Sequence, residues 1–540
     1  MADSKEFLSR DRYRTIGVAA ITVIILVLTI NRLGSGPCDS AAGGESAFRA
    51  LCGTDVCGGN EAVEAVFLQR IVEDGQLLFP LENGIQPMYK PPLFHWTAYA
   101  IDRLAGITRI TAFNLRLPSA LYAAAGAALA ILFAWNSFGP GAGLVTGLVL
   151  AGSYQYIANG RIGRVDMTLT FFETLALLSF LWWRAAEIAR IEDIDHSPMR
   201  DAALRYVFGA ALGLAVLAKG PIGAMLPALA IGIFLIFAGG IAEILEFVPG
   251  PAMLAIGLGA SWYAACYFGG RYGFLHRQLG SENFGRFFGA LGAMSPWYYV
   301  QPLLLNSAPL SLIAPVAVAA AMHYRPAHDD NEDGAARARR DAVRILAIFW
   351  IVTVVFFSIA AYKRRTYLLP LWPAEAILIG WWSALLARWY WGRIFRAALV
   401  LICAGLIVFN LAYIPRLEAR NCNGFSYRPA AAVINRVVGK NEPLYVYGFH
   451  EELAPLVFYL DRNVVVLRGR LGDAPPGYII VPGAIWLERQ GRAPGLTTVL
   501  RAPYGRDGLV LLSHGRFYAD GGAATPDPIP VTIPKSYTVP

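Results

Sequence analysis

The sequence predicts an α-helical polytopic membrane protein of about eleven transmembrane helices, with a small α/β extracytoplasmic domain at its C-terminal end. Three observations predict it. The 540 residues are 56% hydrophobic and only 16% charged, against about 25% charged residues in soluble domains. Apolar stretches close to the roughly 20 residues that a spanning helix needs recur along the chain. From about residue 416 that pattern gives way to short apolar runs separated by Gly and Pro. This composition excludes a plain soluble enzyme, a disordered chain and a nucleic-acid-binding module. The net charge of +8 is ascribed to Lys and Arg flanking the spans rather than to a nucleic-acid surface.

The spans fall near 15–33, 114–135, 141–158, 166–184, 206–219, 221–240, 249–268, 299–322, 345–361, 366–387 and 397–415. Lys219-Gly220-Pro221 cuts one long apolar run, so the fifth and sixth are two helices or a single broken one. Lys5, Arg10, Arg12 and Arg14 hold the head in the cytoplasm. Arg190, Arg200, Arg205, Arg325, Arg337, Arg339, Arg340, Arg344, Arg388, Arg393 and Arg396 then fall on inner loops, where the acidic patch Asp329, Asp330, Glu332 and Asp333 reads as a solvated surface. The localisation this implies is a bacterial inner (plasma) membrane, multi-pass, with the C-terminal domain in the periplasm or outside. The first stretch is read as a retained helix rather than a cleaved signal peptide, since no clear small-residue cleavage site follows it. Cys38, Cys52, Cys57 and Cys422 fall on the outer side, and Cys266 and Cys403 within spans. Disulfides form in oxidising outer compartments. A pair within 38–57 is favoured, with free thiols as the alternative.

Residues 1–415 are expected as the membrane domain, including a first outer segment at 34–113, and residues 416–540 as the outer soluble domain. Within the segment, Glu61–Asp74 has the spacing of an amphipathic helix with Ala65, Leu68, Ile71 and Val72 on its apolar face. Leu93–Leu104 reads as a second, interfacial helix carrying Phe94, Trp96 and Tyr99. In the tail, Leu444–Tyr447, Val464–Leu467, Tyr478–Val481 and Gly508–Leu512 read as strands, and Ala430–Val438 and Glu452–Leu460 as helices.

The charge on the outer side runs against the inside rule. Lys90, Arg103, Arg109, Arg116, Arg161, Arg164, Lys219, Arg271, Arg277, Arg286, Lys363, Arg364 and Arg365 lie close to span ends there, accompanied by Glu61, Glu64, Asp166 and Glu282. A charge at the membrane is costly and marks function. Cations gathered at one interface suit a phosphate, and a lipid phosphate lies at that depth.

Asn60-Glu61-Ala62 through Gly75, Pro80-Leu81-Glu82-Asn83-Gly84, Lys90-Pro91-Pro92-Leu93 and Trp96 resemble the first outer loop of the polyprenyl-phosphate-sugar-dependent glycosyltransferases of the GT-C superfamily. That superfamily includes the protein O-mannosyltransferases and the lipid A aminoarabinose transferase (glycosyltransferase family 39/83 type). The match runs without a gap from Asn60 to Leu93. Further matches follow in order: Arg116-Leu117-Pro118, Arg161 with Arg164 and Asp166, Lys219-Gly220-Pro221, Glu282-Asn283 with Arg286-Phe287, Pro296-Trp297-Tyr298, and Lys363-Arg364 with Tyr367 and Pro370. The resemblance covers roughly residues 15–415. Three positions depart from it: Asn60 stands where the family has an acid, Val63 where it often has Arg, and Tyr89 where it has Glu before Lys-Pro-Pro. In the aminoarabinose branch that Glu helps bind a metal. A divalent metal is therefore possible here but not implied.

The resemblance implies transfer of a sugar from a polyprenyl-phosphate donor to a lipid, glycan or protein acceptor on the extracytoplasmic face, among membrane lipids and without nucleic acid. Lys90, Arg286 and Arg364, backed by Arg164 and Lys219, are the candidate clamp for the leaving phosphate. Glu61 is the candidate general base, and Asp166 shares that role or orients a cation. Tyr89, His95, Trp96, Glu282 and Tyr367 are expected to line the substrate pocket. On this reading Glu61→Gln keeps its fold and loses transfer. A multi-span lipid or sugar transporter (a flippase) and a membrane scaffold are the competing classes. Transporters often show two related halves, which this sequence lacks, and a scaffold leaves the ordered cations without a purpose.

Overall fold

The computed structural model describes residues 2–31, 59–108, 110–191, 197–238, 249–290, 292–305, 308–325, 333–422, 427–449, 453–489, 493, 495–502 and 508–515. The expectations for Cys38, Cys52, Cys57 and the Cys422 side chain, for Arg109, and for Asp329, Asp330 and Glu332 lie outside the described residues.

The apolar stretches are helical. The principal helices are α1 (Ala2–Ile30), α2 (Gly59–Asp74), α3 (Leu93–Leu104), α4 (Ala112–Phe138), α5 (Pro140–Gly152), α6 (Tyr154–Gly160), α7 (Val165–Ile191), α8 (Pro198–Lys219), α9 (Ile222–Phe237) and α10 (Pro249–Phe268). They continue as α11 (Ala314–His323), α12 (Gly334–Ile359), α13 (Leu371–Leu386) and α14 (Tyr390–Cys422). Six stretches among the described residues, Ala112–Phe138, Val165–Ile191, Pro198–Lys219, Pro249–Phe268, Gly334–Ile359 and Tyr390–Ile414, are long and apolar enough to cross a membrane. Shorter apolar helices occupy the other predicted stretches.

Three of those stretches are less regular than expected. The stretch 141–158 breaks at Ser153, whose backbone leaves the helix at φ −70, ψ 110 and whose hydroxyl accepts the Tyr156 amide to cap α6. The stretch 299–322 consists of Val300–Leu305, a 3₁₀ turn at Leu310–Leu312 and then α11, with Pro302 and Pro309 in its broken part. The stretch 366–387 opens with a 3₁₀ turn, Arg365–Leu368, before α13. The run around Lys219 does divide into two helices. Gly220 turns between α8 and α9 at φ +96, and a Cβ there would lie 2.3 Å from the Gln278 side chain, so only glycine fits.

Residues beyond α14 form a five-stranded sheet in the order β4-β3-β5-β7-β6. Its strands are β3 (Leu444–Val446), β4 (Val465–Val466), β5 (Gly477–Pro482), β6 (Leu496–Ala502) and β7 (Leu509–His514), following the short hairpin pair β1 (Leu81–Glu82) and β2 (Gln86–Pro87) in the first outer segment. β3 pairs parallel with β4 and β5, while β7 lies antiparallel between β5 and β6. The expected strands are present. β6 was not expected, because its half-exposed edge breaks the apolar-run pattern that marks the buried strands. The helices here are α15 (Arg428–Val437), α16 (Ala454–Leu460) and α17 (Gly483–Arg489).

The boundary expected at 415/416 falls within α14, which runs on to Cys422. The tail also shares a core with the first outer segment. Ala62, Val66, Phe67 and Phe94 pack in one buried cluster with Ala431, Ile434, Leu456, Val457, Ile480 and Leu511. This roof explains why α2, expected to be amphipathic, is buried on nearly every face from Glu61 to Gln69. A polar clasp reinforces it. The β1–β2 turn places Asn83 at φ 53, a left-handed conformation that Asn tolerates. Its side chain both donates to the Val464 carbonyl and accepts from the Val464 amide at 2.7 Å. Asn83→Ala is expected to cost about 1–3 kcal/mol, from two bonds of roughly 0.5–1.5 kcal/mol each. Limited proteolysis within residues 427–515 should then accelerate, and an unchanged cleavage rate would show that the clasp contributes nothing.

Candidate active site

Five of the cations that the sequence reading puts on the outer side, Lys90, Arg164, Lys219, Arg286 and Arg364, converge where residues 81–92, the α6–α7 turn, the end of α8, the 276–288 segment and the Tyr362–Tyr367 turn meet. Lys90 lies in the bend between β2 and α3, just before Pro91-Pro92. It is buried, with Nζ 2.9 Å from Glu282 Oε2. Glu282 lies on a π-helical segment, His276–Gly285, a geometry frequent at functional sites. Its carboxylate also accepts from Arg286, four residues on, at 2.9 Å. Arg286 donates to the Tyr367 hydroxyl at 3.1 Å.

Two guanidiniums, Arg286 and Arg364, stand over the Tyr362 ring at 5.3 and 5.6 Å from its centroid. Arg364 donates to Asn60 Oδ1 at 3.1 Å and to the Tyr362 hydroxyl at 3.3 Å. Lys219, the last residue of α8, lies 4.9 Å over the Tyr367 ring and 2.5 Å from Asp166 Oδ1. Among the described residues Asp166 Oδ2 makes no hydrogen bond, although Arg164 pairs with it at 3.4 Å. Tyr89 packs its ring under Lys90 and Arg277.

The five cations proposed from sequence as a clamp thus gather in one place, together with Asp166, Glu282, Tyr89 and Tyr367. Five positive side chains face two carboxylates, a surplus suited to a phosphate. Burial pushes the Lys90 ammonium down to about 8, against the upward pull of Glu282. Burial acts to raise the Glu282 carboxyl, but Lys90 and Arg286 carry it below the usual range.

Other expected site residues lie elsewhere. Glu61 is not an open base. Arg116 holds it in a two-point pair, Nε to Oε1 at 2.6 Å and Nη2 to Oε2 at 2.7 Å, and the Gly163 amide donates to Oε1 at 2.8 Å. Burial would raise this carboxyl, but Arg116 and the Gly163 amide bring it below its ordinary value. His95 is fully buried against Phe67 and Phe94 with Nε2 2.9 Å from Glu64, so it lines no pocket. Trp96 points away from the cluster, donating to the Leu77 carbonyl at 2.8 Å and lining a separate cavity.

Among the remaining outer cations, Arg161 donates to the carbonyls of Leu28, Thr29 and Asn31 at the end of α1. Lys363 does the same for Ala360 and Met294. These two close helix ends, a favourable place for a cation.

Sequence reasoning missed Tyr362, which spaces two guanidiniums, and Asn60, which holds Arg364. Tyr362 could have been read from its place beside the basic run Lys363–Arg365. Asn60 was noted only as a departure. Glu64 was read as one more outer carboxylate, whereas it joins the Tyr89 hydroxyl, at 2.8 Å, to His95. The residues present do not fit a divalent metal. Tyr89 replaces the family's Glu, Asp166 and Glu282 are each taken up by two cations, and among the described residues no three His, Cys, Asp or Glu side chains converge.

The chain is similar to glycosyltransferases that use a polyprenyl-phosphate-linked sugar. Residues 89–260 match the model of the dolichyl-phosphate-mannose-protein mannosyltransferase family. The chain is 24% identical over 330 residues, 59% of its length, to an undecaprenyl phosphate-alpha-4-amino-4-deoxy-L-arabinose arabinosyl transferase of Pseudomonas savastanoi pv. phaseolicola. It spans just over half the length of the curated relatives it matches, 58% and 56% for two of them. Its fold is similar to that of ArnT from Cupriavidus metallidurans bound to undecaprenyl phosphate, with a TM-score of 0.71 at 16% identity, covering 94% of this chain and 99% of that one. The archaeal oligosaccharyltransferase AglB from Archaeoglobus fulgidus follows at a TM-score of 0.55 and 12% identity, covering 89% and 70%.

Proposed function

We propose that the chain is a membrane glycosyltransferase that moves a sugar from a polyprenyl-phosphate donor to an acceptor hydroxyl or amine of a lipid, glycan or protein at the extracytoplasmic face. The carrying observation is the cluster of Lys90, Arg164, Lys219, Arg286 and Arg364 around Tyr362 and Tyr367. It lies at the ends of apolar helices, where a lipid-borne phosphate would sit. The positions of the apolar helices support a reading of eleven spans with a cytoplasmic head and an outer α/β domain at the C-terminal end, and on that reading the cluster is extracytoplasmic.

In this reading the acceptor atom attacks the sugar's anomeric carbon. The bond from that carbon to the phosphate oxygen breaks, and the phosphate leaves as a monoester with one more negative charge. Preorganised cations act where that charge develops. Asp166 takes the acceptor's proton on Oδ2, which has no hydrogen bond among the described residues. Glu61 braces the site through Arg116 and Gly163. The transporter reading has no observation of its own.

Deleting the coding sequence in the host and comparing lipids, glycans and glycoproteins by mass spectrometry should reveal the loss of one sugar from one class of molecule. Unchanged profiles from a strain that expresses the protein would overturn the proposal.

Donor binding is expected to depend on pH through Lys90. Its ammonium, held down to about 8, attracts phosphate only when protonated. Affinity for a polyprenyl phosphate should therefore be level below about pH 8 and fall above it, by at most about tenfold per pH unit. Lys90→Arg should flatten the profile between pH 7 and 9. A wild-type profile already flat across that interval would remove Lys90 from the clamp.

A further inference from the structure

A second site lies apart from the cation cluster. A cavity of about 750 Å³ is bounded by the loop Gly75–Phe79, by Leu81, by Trp96 and Tyr99 of α3, and by Arg271 and Phe274. Its size falls within the roughly 300–1,000 Å³ of small-molecule sites. Its wall is fixed rather than loosely draped: Trp96 Nε1 donates to the Leu77 carbonyl at 2.8 Å, and Trp262 Nε1 to the Leu78 carbonyl at 3.0 Å. Arg271 itself lines the cavity, and Arg103, outside the lining, lies on the ring of one lining residue, Tyr99. Arg271 stands 5.7 Å over Phe79 and Arg103 5.8 Å over Tyr99. Both arginines are exposed, and among the described residues neither has a carboxylate within ion-pair distance.

The depth of the cavity is set by its neighbours. α10, one of the helices able to span a membrane, ends at Phe268, three residues before Arg271. Phe268 is 85% exposed and Leu104, next to Arg103, 91%. Large apolar side chains left this bare, beside Tyr267 and Tyr272, which are also exposed, suit the headgroup and upper acyl region of a bilayer. An apolar cavity with one cation in its lining and a second on the ring of a lining residue, neither paired with a carboxylate among the described residues, is complementary at that depth to an amphiphile with an anionic head.

We propose that this cavity binds one anionic membrane lipid, with an acyl chain between Leu77, Phe79, Trp96 and Phe274 and its phosphate between Arg103 and Arg271. The site is distinct from the donor clamp, uses none of its residues, and does not depend on the transferase reading.

The test is native mass spectrometry of the full chain released from nanodiscs of phosphatidylglycerol, phosphatidylcholine or an equal mixture. Wild type should retain one phosphatidylglycerol, preferred about tenfold or more over phosphatidylcholine. Arg103→Gln/Arg271→Gln alters only exposed side chains and should abolish that preference. Leu77→Trp, which fills the cavity, should remove the retained lipid altogether, with circular dichroism confirming the fold. Glycerol phosphate in excess should not displace the lipid, since the chain as well as the head is held. Equal retention of the two lipids by wild type, an unchanged preference in the double variant, or displacement by glycerol phosphate would each overturn the proposal.

Discussion

Replacing Asp166 by asparagine is expected to lower sugar transfer by about 10²–10⁴-fold, the range that a positioned general base contributes. The substitution preserves shape and removes one negative charge. Asp166 Oδ1 is committed to Lys219 at 2.5 Å, while Oδ2 makes no hydrogen bond among the described residues. That second oxygen pairs with Arg164 at 3.4 Å, within the cluster proposed to hold the phosphate. It is therefore placed to take a proton from an acceptor while the leaving group is held next to it.

The same substitution separates a base from a mere counter-ion. Losing the carboxylate raises the positive surplus of the cluster, so affinity for a polyprenyl phosphate should hold or tighten while transfer collapses. If Asp166 served only to position Lys219 and Arg164, donor affinity would fall in step with the rate. Near-normal transfer by Asp166→Asn would eliminate it as the base.

The apolar helices were legible because their signal is local: an unbroken run of apolar residues predicts a helix wherever it occurs. Where the runs contained Ser153 or Pro309, the run itself concealed the break. The tail strands were legible as short apolar runs for the same reason. β6 was not, because an edge strand has no buried face to mark it. That Lys90, Arg164, Lys219, Arg286 and Arg364 share one cluster was foreshadowed by their position against the inside rule on the topology read from the sequence, since such charge has to be held by something.

Their partners were not legible. Which carboxylate meets which cation depends on contacts such as Lys90 with Glu282, or Arg116 with Glu61, between residues 192 and 55 positions apart. The sequence places Glu61 and Asp166 as equal outer acids. Only their partners divide them: Glu61 is held by a bidentate arginine and a backbone amide, and Asp166 by Lys219 on one oxygen and by Arg164, without a hydrogen bond, on the other. Trp96 and His95 show the reverse error: neighbours in sequence to Lys90, they leave it because α3 turns their side chains to other faces.

Glu61→Gln is expected to act on stability before chemistry. Glu61 ties three elements: its own helix α2, α4 through Arg116, and the α6–α7 turn through the Gly163 amide. That turn has no slack, because a Cβ on Gly163 would lie 2.5 Å from the Leu115 side chain. It also delivers Arg164 and Asp166 to the cluster. Glu61 and Arg116 side chains are only 8% and 11% exposed, and removing one partner of a buried pair costs about 3–5 kcal/mol, because the other charge is left uncompensated. The variant should thus unfold at lower temperature in detergent and lose transfer as Arg164 and Asp166 shift. Removing both charges with Glu61→Leu/Arg116→Leu should restore most of the stability, since an apolar pair of similar size often replaces a buried ion pair at little cost. A Glu61→Gln protein with wild-type thermal stability and no transfer would instead make Glu61 the base, and would overturn the assignment of that role to Asp166.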